Sequence, residues 1–597
     1  MIGQLLWILR TAPHRRRNQF LLLSLLIVVS GGMELAALGS LALFVTSLTS
    51  LESIMRSEAV MRTARLLEPE LLNDPKLFYL ALGSLTMLLV VLKNLCVALH
   101  NYATARFSGA LNHDYGTMML RGYLSMPYEW CARSNAATVL QTMGWRDYVS
   151  LFVSMLMTVF SDLVVVLLLF LSMFLFHPLL TTAVLLGLGV VGLGSFALFK
   201  ARIHALASTG AELMIDMSAV VLKSVQGCKD MKLFNRSAAA LSLYMDRMHL
   251  YVRSQASQRV CERGPVWLLE TAVLGALILG SVLMIQAGGA TSAQVMGTLA
   301  VLAVSAWRVL PALYRSVTAL GSMRGFLPCL QRVRDFIDEV EREGSRQRAL
   351  PLETVPPLTR EIRLEGLRFR YEGNEAETLA GVDLAVGMGQ CIGIIGQSGA
   401  GKSTLTDLLT GLLEPSGGHI LVDGRPIVPA SRESWRSQIG FVPQKPFLFD
   451  GTLAENVAFA LTPEAVDRSA VERSCAQAGV NEFLADLPLG LDTVIGDQGG
   501  LLSGGQAQRV AIARALYRNP RVLVFDEATS SLDDKNERYV MDSLTAVRGG
   551  KAVIIIAHHL RTVENCDTVF WLEDGKVVLS GTPTEVLPIY TSGGERT

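Results

Sequence analysis

The chain has 597 residues, half of them apolar and only 18% charged, below the ~25% charge of ordinary soluble domains. Its 53 Lys and Arg balance 53 Asp and Glu, so no global field recruits nucleic acid or another polyanion. Eight cysteines, none in a C-x-x-C pair, argue against a disulfide framework or a zinc site.

The apolar excess lies before about residue 330. Six segments there reach the ~20 residues needed to cross a bilayer: about 20–45, 77–99, 149–176, 179–199, 265–285 and 294–313. The first follows Arg15, Arg16 and Arg17, is too long for a signal peptide and precedes five more spans, so it reads as a retained helix. Lys and Arg collect at the amino terminus and in two long loops, about 102–148 and 200–232. The connections at 177–178 and 287–293 carry none. By the positive-inside rule the amino terminus, both long loops and the carboxyl half are cytoplasmic. The 49–76 loop is then external, and its 51–75 stretch fits an amphipathic helix on the membrane.

If the long inner loops continue the spans as helices, arms of ~20 residues reach about 30 Å into the cytoplasm. Short coupling helices are expected at their tips, near 123–130 and 226–234. Ionisable residues inside spans are expensive, ~2.5–3.5 kcal/mol at a helix centre. This chain has Glu34, Lys93, Asp162, Glu270 and Arg308. Glu34 and Arg308, well inside the first and sixth spans, are the candidates for lining a substrate cavity. Lys93 and Asp162 fit interhelix pairing better.

The expected domains are a membrane domain over 1–340, a linker over 341–360 marked by Pro356-Pro357, and an α/β domain over 361–590. Residues 361–371 alternate as a half-buried strand does. An apolar strand at 390–395 runs into Gly396-Gln397-Ser398-Gly399-Ala400-Gly401-Lys402-Ser403-Thr404, with a helix over 402–412. That is the G-x-x-x-x-G-K-[ST] pattern in the strand–loop–helix context it requires. Glycines let backbone N–H groups approach phosphates, Lys402 neutralises them, and Ser403 offers its hydroxyl to Mg²⁺. The strand 522–526 ends in Asp526 and Glu527. Asp526 would hold Mg²⁺ through water, and Glu527 would polarise the attacking water as general base.

Between these motifs stands Leu502-Ser503-Gly504-Gly505-Gln506. In that order the three motifs resemble the ATP-binding cassette (ABC) ATPases, and the apolar half in front makes the chain similar to an ABC half-transporter. The resemblance implies that Tyr371 stacks on adenine and that Gln444 reaches Mg²⁺ and water. It implies that His558 contacts the γ-phosphate and that Asp533 lies in a loop crossing a dimer interface. It places Ser503, Gly504, Gly505 and Gln506 against the ATP of a partner subunit. Two chains would then meet head to tail around two ATP and two Mg²⁺, most simply as a homodimer. Two departures from the family pattern are His559 and Gln498, each where arginine is common.

The expected fold is therefore multi-domain: a six-helix, all-α transmembrane domain with long cytoplasmic extensions, then an α/β P-loop ATPase domain. The membrane-then-cassette order resembles exporters, placing the chain in a bacterial inner membrane with its ATPase domain cytoplasmic. The pattern looks closest to lipid-linked oligosaccharide flippases of the PglK type, which implies an amphipathic or lipid-linked substrate. Export of drugs or hydrophobic peptides is the same-class alternative, and an ATP-gated channel or regulatory subunit the alternative of another class. Six spans exclude a soluble ATPase of DNA repair or translation.

Overall fold

The computed structural model describes residues 2–49, 75–176, 178–286, 292–348, 353–496, 499–528, 549–557 and 559–592. The chain forms two compact units: Met1–Ser125 with Ser134–Arg342, and Met126–Arg133 with Glu343–Thr597.

The amino-terminal half is helical: α1 (Ile2–Thr11), α2 (His14–Thr49), α3 (Pro75–Ser125), α4 (Tyr128–Arg133), α5 (Ala136–Gly144), α6 (Arg146–Phe176), α7 (Pro178–Gln226), α8 (Cys228–Leu233), α9 (Ser237–Gln286) and α10 (Ser292–Arg348). The six expected spans fall in α2, α3, α6, α7, α9 and α10. Four of these rods hold 49 to 57 residues. At 1.5 Å per residue each is roughly 75–85 Å long, more than twice the ~30 Å hydrocarbon core. Span and loop are thus one continuous helix, which in α9 and α10 runs on through Pro265, Pro311 and Pro328.

Among the described residues four helical stretches are long and apolar enough to cross a membrane: His14–Val45, Lys76–Ser125, Ala136–Leu171 and Gly189–Gln226. The expected fifth and sixth spans lie in α9 and α10, whose side chains are described only in part. Leucines such as Leu22, Leu80, Leu167 and Leu193 stay more than half exposed, as a helix solvated by lipid requires. Val149, Phe152, Met157 and Ile203 face inward and are buried. Gly122 lets α3 meet α10, since a Cβ there would stand 2.3 Å from Val340 Cγ1. The short helices α4 and α8 lie where the loop tips were expected. Residues Met126–Arg133 belong to the second unit, where Arg133 donates to Glu129 at 2.6 Å and to Glu372 at 3.1 Å.

That second unit holds β1 (Glu361–Phe369), β2 (Leu379–Gly387), β3 (Cys391–Ile395), α11 (Lys402–Leu409), β4 (Gly417–Val422), β5 (Arg425–Pro426), β6 (Ile439–Val442), α12 (Leu453–Ala458), α13 (Arg468–Gln477), α14 (Gly504–Tyr517), β7 (Val522–Asp526), β8 (Ala552–Ile556), β9 (Thr568–Glu573), β10 (Lys576–Gly581) and α15 (Pro583–Thr591). One sheet is antiparallel, in the order β2-β1-β4-β5. The other runs β10-β9-β3-β8-β7-β6 and is parallel except for the edge strand β10. All five residues of β3 and all five of β8 are buried, as parallel strands covered on both faces must be.

The strands feed two separate cores by simple alternation. Ile395, Leu523, Phe525, Val553 and Ile555 join the helices α12, α13 and α14 on one face. Ile392, Ile394, Val522, Val524, Ile554 and Ile556 pack with α11 and the antiparallel sheet on the other. The carboxyl ends of β3, β7 and β8 therefore emerge side by side, where open α/β sheets hold ligands.

Candidate functional site

The loop after β3 is built to bring backbone close to a ligand. A Cβ at Gly396 would stand 2.2 Å from the Leu572 carbonyl oxygen. Gly399 and Gly401 hold φ of +89° and +98°, the left-handed region that glycine enters without strain. Gly401 is the N-cap of α11, whose first-turn N–H groups have no intrahelical acceptor. Lys402 is buried, and its ammonium donates to the carbonyls of Gly396 (2.7 Å) and Gln397 (2.9 Å). Burial lowers its pKa, against the charges of Glu527 and Asp526, which raise it. Ser403 stands exposed on the first turn, Ala400 is buried beneath the loop, and Ser398 faces solvent.

Asp526 sits at the end of β7, half-buried, its pKa raised by burial and then by Glu527, with Lys402 opposing. Glu527 adopts φ +48°, uncommon for a residue with a side chain. Its N–H donates to Ile556 O at 2.9 Å, which holds that turn at the end of the sheet. Gln444 Nε2 donates to Glu527 Oε2 at 2.7 Å. The exposed glutamine and the candidate base are therefore in direct contact, although 83 positions separate them.

Tyr371 packs edge-on against Phe369, ring centroids 4.8 Å apart. Its hydroxyl lies 3.2 Å from Thr404 Oγ1 on the first turn of α11. Tyr371 also lines a cleft of about 650 Å³ with Phe369, Glu372 and Asn374. The aromatic is thus held beside the phosphate cradle by Thr404, a residue that the motif alone would not have paired with it.

At α14, Ser503 and Gln506 form a reciprocal capping box. The Gln506 N–H donates to Ser503 Oγ (3.3 Å), and the Ser503 N–H to Gln506 Oε1 (2.8 Å). Gln506 thereby serves the start of its own helix, and nothing within 4 Å stands where a Gly504 Cβ would point. Sequence reasoning missed Gln508, 1% exposed, whose amide donates to the Pro443 carbonyl at 3.1 Å, next to Gln444. It also missed Arg514, which donates to Phe447 O and Asn456 O and lies over the Phe459 ring. A polar residue on the buried side of an otherwise apolar helix was the available signal.

Of the intramembrane candidates, Glu34 is buried in α2, Lys93 half-buried in α3 and Glu270 exposed on α9. Asp162 pairs with Arg315 of α10, which donates Nε to both carboxylate oxygens at 3.2 Å and Nη2 to Oδ1. Interhelix pairing is the role the sequence favoured for Asp162. Arg315 escaped notice because it lies two positions beyond the expected sixth span. His558, Asp533 and Gln498 lie outside the described residues, as do the side chain of Arg308, residues 50–74 and residues 287–291.

The residues present fit a nucleoside triphosphate with Mg²⁺. The cradle excludes any Cβ at its base, the lysine already rests on carbonyls at its rim, and the Asp526 and Glu527 carboxylates interact with that lysine. Among the described residues no group of three His, Cys, Asp or Glu forms a metal cage. Mg²⁺ needs none, being held by one or two side chains together with phosphate oxygens and water.

The ABC transporter family model matches residues 379–530. The ATP-dependent lipid A-core flippase of Chromohalobacter salexigens is 45% identical over 226 residues, 38% of this chain and 39% of that protein. The namesake of Bordetella pertussis is 31% identical over 409 residues, 68% of this chain and 64% of that protein. Multidrug resistance protein pgp-1 of Caenorhabditis elegans is 43% identical over 227 residues, 38% of this chain and 17% of that protein. The match thus spans less than two thirds of each relative. A solved bacterial Atm1-family ABC exporter with ATP bound superposes with a TM-score of 0.76 at 22% identity, covering 97% of this chain and 99% of that one. Residues 379–530 carry the ATP-binding domain of the ABC transporter family, which uses ATP with Mg²⁺, behind a helical membrane domain that shares the fold of that solved exporter. It is an integral membrane protein.

Proposed function

We propose that this chain is one half of an ATP-driven exporter that moves an amphipathic lipid outward by alternating access, working as a homodimer. The observation that carries the reading is the convergence of Lys402, Asp526, Glu527 and Gln444 at the carboxyl ends of β3, β7 and β6, in a chain whose other half crosses the membrane. Bound Mg·ATP supplies the phosphoryl group and the charge that these residues meet. The amides of 396–404 and the Lys402 ammonium bind its phosphates, Tyr371 orients the base, and Ser403, Gln444 and Asp526 hold the metal. Glu527 takes the proton of the attacking water, and the Gln444 amide fixes the carboxylate in place for it. His558 contacts the γ-phosphate in this reading. The Ser503 hydroxyl and the first-turn N–H groups of Gly504 and Gly505 face the nucleotide of the other copy, with Gln506 holding the Ser503 N–H and Asp533 in the loop that crosses between copies.

The substrate reading is a lipid-linked oligosaccharide or related lipid, reached through Glu34 and Arg308. Two relatives bear the name of lipid flippases, which supports a lipid. The name of a third supports drug export as the second reading. The orientation is amino terminus and ATPase domain cytoplasmic, in a bacterial inner membrane, with α4 and α8 coupling the two activities. Reconstitution tests this: vesicles with wild-type protein should flip a labelled lipid-linked saccharide in an ATP-dependent, vanadate-sensitive way. Glu527→Gln should bind ATP normally yet hydrolyse it about 10²–10⁴-fold more slowly. An ATP-gated current without flipping, or undiminished phosphate release from the variant, refutes it.

A further inference from the structure

The elbow between α1 and α2 gathers positive charge that, among the described residues, is neutralised only at Arg16. Arg10 lies in the last turn of α1, and His14, Arg15, Arg16 and Arg17 are the first four residues of α2, whose first turn holds no acid. Cations there face the positive end of the helix dipole, a position that favours anions. Arg16 donates to both Asp114 oxygens (2.7 and 3.3 Å) and to Gln19 (2.9 Å). Arg17 donates Nη2 to the Arg10 carbonyl at 2.6 Å, which ties the elbow, while its Nε is buried without a partner. Among the described residues no carboxylate pairs with Arg10, Arg15 or Arg17.

Position makes this charge meaningful. The apolar run of α2 begins at Phe20, so Arg17 stands within a turn of the hydrocarbon boundary. α1 is anchored rather than loose: Trp7 Nε1 donates to Asp338 at 3.2 Å, and Tyr115 donates to Ile8 O at 3.2 Å. Trp7 and Ile8 are buried, whereas Leu6 is 61% exposed and Arg10, one turn on, is exposed as well. An apolar residue and a cation in tandem on the outer face is the pattern of a helix lying in the headgroup layer.

We propose that this elbow binds the phosphodiester headgroups of anionic phospholipids in the leaflet on the ATPase side. The guanidinium forks of Arg10, Arg15 and Arg17 take phosphate oxygens, and the outward N–H groups of α2 add to the same field. The inference rests on the inward orientation of the amino terminus but not on the transport reading. A basic residue close to an anionic surface contributes about fivefold in affinity, so three contribute on the order of 100-fold.

The test uses the full chain without nucleotide, in nanodiscs of phosphatidylcholine with a minority of phosphatidylglycerol. Lipids retained after detergent extraction are counted by mass spectrometry. Wild type should retain phosphatidylglycerol preferentially, and retention should fall steeply with added salt. R10Q/R15Q/R17Q should lose the preference, whereas R332Q/R342Q on α10 should keep it. Equal retention by the triple variant and wild type, or wild-type retention indifferent to salt, overturns the proposal. Displacement by millimolar inorganic phosphate assigns the site to a free anion and overturns it too.

Discussion

Replacing Gly396 by alanine tests the phosphate cradle through its tightest contact. The added Cβ would stand 2.2 Å from the Leu572 carbonyl oxygen, well inside contact distance, and both partners are backbone. Either the loop or β9 must therefore move by roughly 1 Å, in a core packed too densely to absorb it. Such overpacking costs about 1–3 kcal/mol of stability. A reacting group displaced by about 1 Å also loses on the order of 100-fold in rate. Lys402 would move with the loop, because its ammonium is bonded to Gly396 O and Gln397 O. Fluorescent-ATP titration and thermal melting of the detergent-solubilised protein should both report the change. Gly549→Ala is the control, since nothing stands within 4 Å of its Cβ position. If G396A kept its melting temperature and bound ATP within threefold of wild type, the tight cradle would be refuted.

Burial first, and the charge of Asp526 second, raise Asp407 to about 6. A carboxylate raised above its unfolded value of 3.8 binds more protons in the fold, so stability falls as pH rises from about 4 to 6. Asp407→Asn should be more stable than wild type above pH 6, by at most about 3 kcal/mol, and the gain should vanish near pH 4. Melting in nucleotide-free buffer with chelator reads this, and a pH-independent difference contradicts it. Removing Asp162 strands Arg315, so Asp162→Ala should cost about 1–3 kcal/mol. A double-mutant cycle with Arg315→Ala should show coupling, and simple additivity would disprove the pair. Ser503→Ala removes an N-cap worth about 1 kcal/mol. Gln506→Ala should add a loss of its own in that background, because each side chain accepts from the other residue's backbone N–H; a Gln506→Ala variant as stable as its parent would count against the box.

Much of the architecture was legible because it is written in contiguous pattern. Bilayer spans need only a run of apolar residues, whereas the continuation of the spans into the long inner loops as helices was a condition that the structure met. The P-loop was legible because phosphate is bound by successive amides of one loop, so spacing of Gly396, Gly399, Gly401 and Lys402 encodes the site. The role of Gln506 was not, because whether a glutamine serves a partner's nucleotide or its own helix depends on the φ and ψ of Ser503. Arg315 was hidden for a different reason: span boundaries read from hydropathy err by a residue or two, and the residue sits at that edge.

Asp526 and Glu527 could be recognised as a strand's terminal carboxylates from composition alone, yet only the folded sheet shows that Gln444 touches the second. Strand order decides this: β6 and β7 are neighbours in parallel register, a fact with no trace in local spacing. The same holds for Arg16 with Asp114 and for Asp162 with Arg315, separated by 98 and 153 positions. Sequence determined which segments are rods, strands and anion loops, since those depend on short-range sterics and on the solvent each residue prefers. Tertiary structure decided which charges meet and which are left over, because electrostatic pairing depends on distance in space and falls off within a few ångströms.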